Sequence, residues 1–384
     1  MSSISPSCAD LKATFDQVSS PGVGLEEEVM LLDPESFELA PCAPQVLSLL
    51  GDDPRFKLEL PAAQLEIVTS PCRNAQLAAD QLAAARTDLR DALDGRLRAA
   101  AAGAHPFSDG VGVLNSGPRY DAISAEYGSV ARRQLVFALH VHVAISGADR
   151  ALAVYNALRC YLPELAALAG NAPFYEGRDT GLASVRPKLC ELLPRQGVPP
   201  EIASWPELAA ALRWGAASGR FKEPRQWWWE LRLHPLHGTL ELRVPDAQST
   251  AEDTAAVAAV AQALVADLAQ RYDADENLPS AATWQIEENR WSACRFGLEG
   301  ELSDLLTGER TPTRERLLGL LESLDGHGAR LGCAAALVHA RAMVDENGAV
   351  KQRRIAAAKD LRGLMQTLSD AFAPKSVSPD TASG

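Results

Sequence analysis

The stretch GVGLEEEVMLLDP, residues 22–34, sets three consecutive glutamates inside an apolar run. Val23, Leu25, Val29 and Leu31 alternate as they do in a half-buried strand. Glu26 and Glu28 then share one face with Met30 and Leu32, while Glu27 falls on the other, among the aliphatics. Two carboxylates two residues apart on a strand sit roughly 6.5–7 Å apart. At an effective dielectric of about 20 they repel by about 2 kcal/mol. Two readings stay open: a solvated edge strand, or a cation held between Glu26 and Glu28. Glu27 fits neither, unless a bulge turns it outward.

Three further segments carry acidic, basic or imidazole groups at strand spacing. KLELPAAQLEIVTS, residues 57–70, supplies Glu59 and Glu66. Glu66 is flanked by aliphatics, as Glu26 and Glu28 are. Pro61 interrupts any ladder between the two, so they need not share a face, and Glu59 alone reads as a surface residue. LVFALHVHVAIS, residues 135–146, puts His140 and His142 on one face with Leu139, Val141 and Val143 on the other. Two imidazoles sharing a side suit a metal site. Core histidines satisfied by hydrogen bonds are the alternative.

WWWELRLHPLHGTLELRVPDAQ, residues 227–248, carries Arg232 and His234, a turn at Pro235–Gly238, then Glu241 and Arg243 on one face. A carboxylate beside a guanidinium suits a cross-strand salt bridge, or an anionic substrate with a metal. NAPFYEGRDTGLASVRPKL, residues 171–189, is a Gly-containing loop with Arg178, Ser184 and Arg186. The chain has no GxxxxGK[ST] and no strand-linked GxGxxG. If a nucleotide is used, its phosphates must be handled by metal ions and arginines.

The whole chain sets the bounds. At 384 residues it is one large domain or two to three smaller ones, and its 47% hydrophobic and 23% charged residues are those of a globular protein. A formal charge of −13 argues against broad binding to nucleic acid or anionic membrane. Seven cysteines without a CxxC pair, and an N-terminus without a basic start or apolar core, point to the cytoplasm and to no structural disulfide. No apolar run approaches the roughly 18 residues that would span a bilayer. Strands are expected at 22–33, 57–69, 135–146 and 229–245. Helices are expected at 75–102, 150–169, 250–271, 313–325, 329–345 and 352–372, with Ser249 or Thr250 capping the third. Irregular alternation of these elements disfavours a TIM barrel or doubly wound sheet and favours a mixed or antiparallel sheet with helices on one side.

GLEEEVMLLD, ELPAAQLEI, HVHVAIS, LAGNAPFYEGRDTGLASVR, WWWELRLHPLHGTLELRVPDAQ and ENRWSACRFGL occur in this order. Together they closely resemble the YbdK-type carboxylate–amine ligases, the glutamate–cysteine ligase type 2 family. The resemblance runs from about Gly22 to NGAVKQRR at 347–354. It implies an α+β fold similar to glutamine synthetase and the guanidino kinases: a curved, largely antiparallel sheet forming a funnel, with helices outside. It implies one ligase domain over 21–372, between an N-terminal extension (1–20) and a disordered tail (373–384).

It also implies ATP-dependent ligation with two or three Mg²⁺ ions, Mn²⁺ being an admissible substitute. Glu26, Glu28, Glu66, His140 and Glu241 match the positions that hold metal and nucleotide phosphates. Arg186 and Arg243 match catalytic arginines near the substrate carboxylate or the transferring phosphoryl. Glu59 and His142 match occupied positions without a fixed role. Where the family carries glycine and a small or thiol residue before HVHV, this chain carries Ala138 and Leu139. Leu139 is expected to point away from the His140 face.

The expected reaction joins the γ-carboxylate of glutamate to an amine, that of cysteine first, through an acyl phosphate. Its partners are small molecules, and a homodimer is admitted. The alternatives are a ligase of this class with another acid or amine, a metal-dependent amidohydrolase, and a non-catalytic binding protein.

Overall fold

The computed structural model describes residues 6–221 and 226–374. Its first five strands are β1 (Val23–Leu32), β2 (Phe56–Leu58), β3 (Gln64–Val68), β4 (Arg98–Ala100) and β5 (Leu139–Ala144). The pair β6 (Phe174–Tyr175) and β7 (Arg178–Asp179) follows, then β8 (Leu231–His234) and β9 (Thr239–Leu242), and the pair β10 (Glu301–Ser303) and β11 (Arg310–Pro312). Seven of them form one sheet in the order β2-β3-β1-β5-β9-β8, with β4 joined to the far end of β1. Every pairing in it is antiparallel.

β1 therefore lies in the middle of the sheet. Residues 26–30 pair with β3 and residues 23–27 with β5, so both edges of the acidic segment are taken. The solvated edge strand is excluded. The expected strand 57–69 is two strands, because Pro61 has no N–H for the ladder and bridges Leu114 instead. The expected strand 229–245 is the hairpin β8–β9, turning at Pro235–Gly238 as the sequence predicts.

Period two then sorts the side chains. The back face carries Val23, Leu25, Val29, Leu31, Leu65, Ile67, Leu139, Val141, Val143, Leu240 and Leu242, all buried. Each contributes about 1.5–3 kcal/mol on full burial if it is as large as Val or Leu. Leu139 points away from the His140 face, as expected. Helices Ala75–Leu93 and Ala251–Asp273 pack on this back face. In the second, Asp253 to Val265 are buried without interruption, and Thr250 caps its start by accepting from the Asp253 N–H at 3.1 Å.

Two expected helices are shorter than their apolar spacing suggests. The stretch 75–102 leaves the helix at Leu93, because Asp94 and Gly95 adopt left-handed φ of 49° and 68°, and the chain returns as β4. The stretch 150–169 is two helices, Ala148–Leu158 and Leu162–Leu168; Pro163 is tolerated only in a first turn, so the second helix restarts there. The C-terminal helices are Thr313–Leu331, Ala334–Asp345 and Gly348–Phe372. Within residues 1–20, helix Cys8–Asp16 buries Leu11 and Phe15, and Phe15 lies 5.3 Å from the Trp205 ring. The expected tail falls outside the described residues from 375 onward. All seven cysteines are free, and no described helix is long and apolar enough to cross a membrane.

Candidate active site

The front face of the sheet collects the chemistry. The cross-strand partners are Glu26 with His140, Glu28 with Glu66, Lys57 with Glu66, His142 with Glu241, and Glu241 with Arg232. Neighbouring strands in register thus bring together residues far apart in the chain. Two groups have ligand atoms within 4.8 Å of one another: Glu26, Glu66 and His140, and Glu26, His142 and Glu241. Glu26 belongs to both. His140 Nδ1 is 3.2 Å from its Oε2, and His142 Nε2 is 3.5 Å from its Oε1.

His142, a position without a fixed role in the sequence, is here a full member of the second group. Its Nδ1 meets the Thr239 hydroxyl at 3.0 Å, while its buried Nε2 has no hydrogen-bond partner. A buried imidazole nitrogen without a hydrogen-bond partner, grouped with two carboxylates, has the donor chemistry that could hold a metal ion.

Glu28 lies apart from both groups. It accepts a hydrogen bond from the Ala138 N–H at 2.6 Å and lines a cavity with Glu59. Glu59 is therefore not a surface residue. The structure also changes the roles open to the arginines. Arg186 donates from Nε to Asp246 at 2.8 Å and from Nη2 to the carbonyls of Arg243, Val244 and Pro245. It clamps the chain after β9. Arg243 donates to Glu241 Oε1 at 2.5 Å, and Arg232 to Glu241 Oε2 at 2.7 Å. Arg178 sits exposed on β7, and Ser184 donates to Asp246.

Burial and charge act against each other here. Burial pushes the Glu28 carboxyl up to about 8, and neighbouring Glu59 adds to the rise. Glu59 and Glu66 are raised too, first by burial; for Glu66 the charges of Glu59 and Glu26 add to it. Burial would also raise Glu26, but the imidazoles of His140 and His142 beside it outweigh that and hold Glu26 below the usual range. Glu241 is likewise held low, because Arg232 and Arg243 outweigh its burial. Burial, with Arg243 nearby, pushes His140 down to about 4, leaving a neutral imidazole able to ligate. The face is a set of carboxylates short of positive charge.

Two compartments flank it. One, of about 550 Å³, is lined by Gly24, Glu26, Lys57, Arg73, His142 and His237. The other, of about 160 Å³, is lined by Glu28, Glu59, Arg119, His140, Arg243 and Trp228, among others. Arg119, Trp228, Arg232 and Asp246 were not assigned as site residues from sequence. Asp246 follows a strand in a quoted motif and could have been suspected. Arg119 sits in a polar stretch, GPRYD, with no strand or helix periodicity to point to it.

Residues 22–371 match the family described as Glutamate-cysteine ligase family 2. A protein of Rubrobacter xylanophilus, provisionally named glutamate–cysteine ligase 2-3, is 38% identical over 91% of this chain and 97% of its own. One of Gloeobacter violaceus, provisionally named glutamate–cysteine ligase 2, is 35% identical over 89% of this chain and 94% of its own. Among solved structures, glutamate–cysteine ligase from Francisella tularensis in complex with AMP superposes with a TM-score of 0.68. It covers 94% of this chain and 89% of its own at 12% identity, a likeness of fold.

Proposed function

The chain belongs to glutamate–cysteine ligase family 2, and from that premise we propose an ATP-dependent carboxylate–amine ligase that activates the γ-carboxylate of glutamate and passes it to the amine of cysteine. The observation that carries this reading is the pair of side-chain groups able to hold a metal ion, sharing Glu26 and set between two compartments on one sheet face. Two substrates must meet at one reacting centre, and the face offers a compartment on each side of it. The larger compartment falls within the ~300–1,000 Å³ typical of ligand pockets and takes the nucleotide; the smaller takes the amino acid.

The donor set fits divalent ions. Glu26, Glu66 and His140 would hold one, and Glu26, His142 and Glu241 a second. One imidazole in each group suits Mn²⁺ as well as Mg²⁺. When bound, such ions neutralise charge on transferring phosphoryl oxygens. The chain's own residues do the rest. Arg232 and Arg243 fix both oxygens of Glu241, so the ligand cannot rotate away. Arg186, through Asp246 and three carbonyls, holds the strand end that aims Arg243. Arg243, beside Glu28 in the smaller cavity, stabilises negative charge developing on the acid. The phosphoryl group of ATP passes to the carboxylate, releasing ADP. The amine then displaces phosphate and forms the amide.

A metal-dependent amidohydrolase with an HxH strand calls for a βα barrel, and the antiparallel sheet is not one. Hydroxylamine tests the chemistry directly. Supplied with ATP, Mg²⁺ and glutamate, the enzyme is expected to accumulate glutamyl hydroxamate with matching ADP. Arg243→Lys should depress this partial reaction, since an ammonium lacks the planar fork that holds Glu241 and an oxyanion together. Hydroxamate with another acid but not with glutamate discards the glutamate assignment. None with any carboxylate discards acyl-phosphate chemistry.

A further inference from the structure

The smaller cavity has a roof. Helix Pro118–Tyr127 has no buried residue along its length, which no other helix of ten or more described residues shares. It is bounded by Gly117 at φ 128° and Gly128 at φ 57°, and a Cβ at either would meet nothing within 4 Å. Two glycines in open space with positive φ allow the backbone torsions at both ends to change without a clash. The helix is tied down at two side chains: the Tyr120 hydroxyl donates to the Leu58 carbonyl at 3.0 Å, and Tyr127 meets the Trp228 ring edge-on at 5.7 Å while its hydroxyl accepts from Arg195 Nη2 at 3.2 Å. A segment with so few buried contacts opens at low free-energy cost.

From this helix Arg119 and Ile123 reach the cavity wall. Of the three arginines lining that cavity, Arg186 and Arg243 are engaged with Asp246, backbone carbonyls and Glu241. Among the described residues, Arg119 makes neither a hydrogen bond nor an ion pair; its guanidinium rests 5.6 Å from the Tyr120 ring centroid. A planar, permanently charged donor fork with no hydrogen-bond partner, at the wall of that cavity and with only the charge of Glu59 acting on it from the lining, calls for a carboxylate. The larger compartment is the better sized of the two for a polyphosphate.

We propose that Arg119 holds a carboxylate of the acid substrate, and that helix Pro118–Tyr127, hinged at Gly117 and Gly128, closes over the cavity as it does so. This rests on the reading of the site as one that binds a carboxylic amino acid. Closure would also shield the activated acid from water while the amine is awaited.

The test compares wild type with Arg119→Gln and Arg119→Lys. The residue is exposed, so both variants should melt with the wild type. ADP release is measured with glutamate and ATP varied separately, hydroxylamine serving as the amine. Arg119→Gln should raise KM for glutamate about tenfold or more, the loss of a charge-assisted bidentate contact, and leave KM for ATP unchanged. Arg119→Lys should fall between. Amide exchange over 117–128 should slow in wild type when glutamate is added with Mg²⁺ and a non-hydrolysable ATP analogue, and should not slow in Arg119→Gln. An unchanged KM for glutamate, or a rise confined to ATP, overturns the assignment. Should wild type release no ADP with any carboxylate, the ligase reading falls by itself. Equilibrium binding of labelled glutamate then decides Arg119: equal affinity in wild type and Arg119→Gln, or none in either, overturns it.

Discussion

Glu27 shows how far single residues could be read. Strict alternation sent Glu26 and Glu28 to one face and Glu27 to the aliphatic one, and that is where they are. No bulge intervenes: Glu27 stays in register with Ile67 and Leu139. What the local sequence could not show is Arg86, 59 residues away on helix Ala75–Leu93, which donates to both Glu27 oxygens at 2.8 and 2.5 Å. Arg86 also donates to the carbonyls of Gln248, Ser249 and Phe372, and the Thr254 hydroxyl meets Glu27 at 3.2 Å. Both side chains are wholly buried. Replacing Arg86 by Met should therefore destabilise the fold by about 3–5 kcal/mol, because Glu27 is left charged and unpaired. Adding Glu27→Leu to that variant should recover part of the loss in a urea melt. A double variant no more stable than Arg86→Met would show that the carbonyl contacts, not the ion pair, carry the cost. On the other face, period two put Glu26 beside Glu28 and His140 beside His142, while the choice of Glu26, Glu66, His140 and Glu241 as ligands rested on the family resemblance. Period two could not tell that Glu28 faces the smaller cavity, or that Arg186 grips backbone.

At the scale of elements, strands were easier to place than the ends of helices. β1, β5 and the β8–β9 hairpin announce themselves by alternation and by Pro235–Gly238, and Pro61 marks the division of β2 from β3. Helix ends depend on one or two residues in special conformations, and an apolar spacing that runs past Asp94–Gly95 conceals them. Helix Ala251–Asp273 presents a different signal. Its run of alanines has no polar face, and a helix apolar all round belongs in a core. Ala256, Ala258, Ala259 and Ala263 are fully buried, so the helix lies close to its neighbours with no room left over. Ala259→Leu should cost about 1–3 kcal/mol through overpacking, and Ala259→Gly about 1 kcal/mol through helix propensity alone. A leucine variant as stable as wild type would mean that the helix has slack the packing does not show.

Over the whole molecule, the sheet gathers more carboxylates on one face than its cations balance, and burial favours the protonated form at Glu28, Glu59 and Glu66. Glu28, pushed up to about 8, and the raised Glu59 and Glu66 keep protons in the folded chain that an unfolded glutamate, titrating at about 4.3, gives up. Their contribution to stability is complete below the unfolded value and is lost as pH rises through the folded one. Glu26 and Glu241 have the opposite sign, held below the usual range, and above neutrality they are ionised in both states. His105 and His140, both pushed down to about 4 and foremost by burial, are neutral when folded over this span. From pH 6.5 to 8.5 the metal-free protein should accordingly lose stability by a few kcal/mol. Divalent metal with nucleotide should restore it, and by more at pH 8.5 than at 6.5, because fewer protons then have to leave the ligands. The measurement is the rise in melting temperature on adding Mn²⁺ or Mg²⁺ with an ATP analogue at the two pH values, with EDTA as the metal-free reference. Glu66→Gln should raise the metal-free melting temperature at pH 8.5, by removing a carboxyl that repels its neighbours, and should shrink the metal-induced rise. Equal metal-induced rises at both pH values, unaffected by Glu66→Gln, would place the ion away from this face.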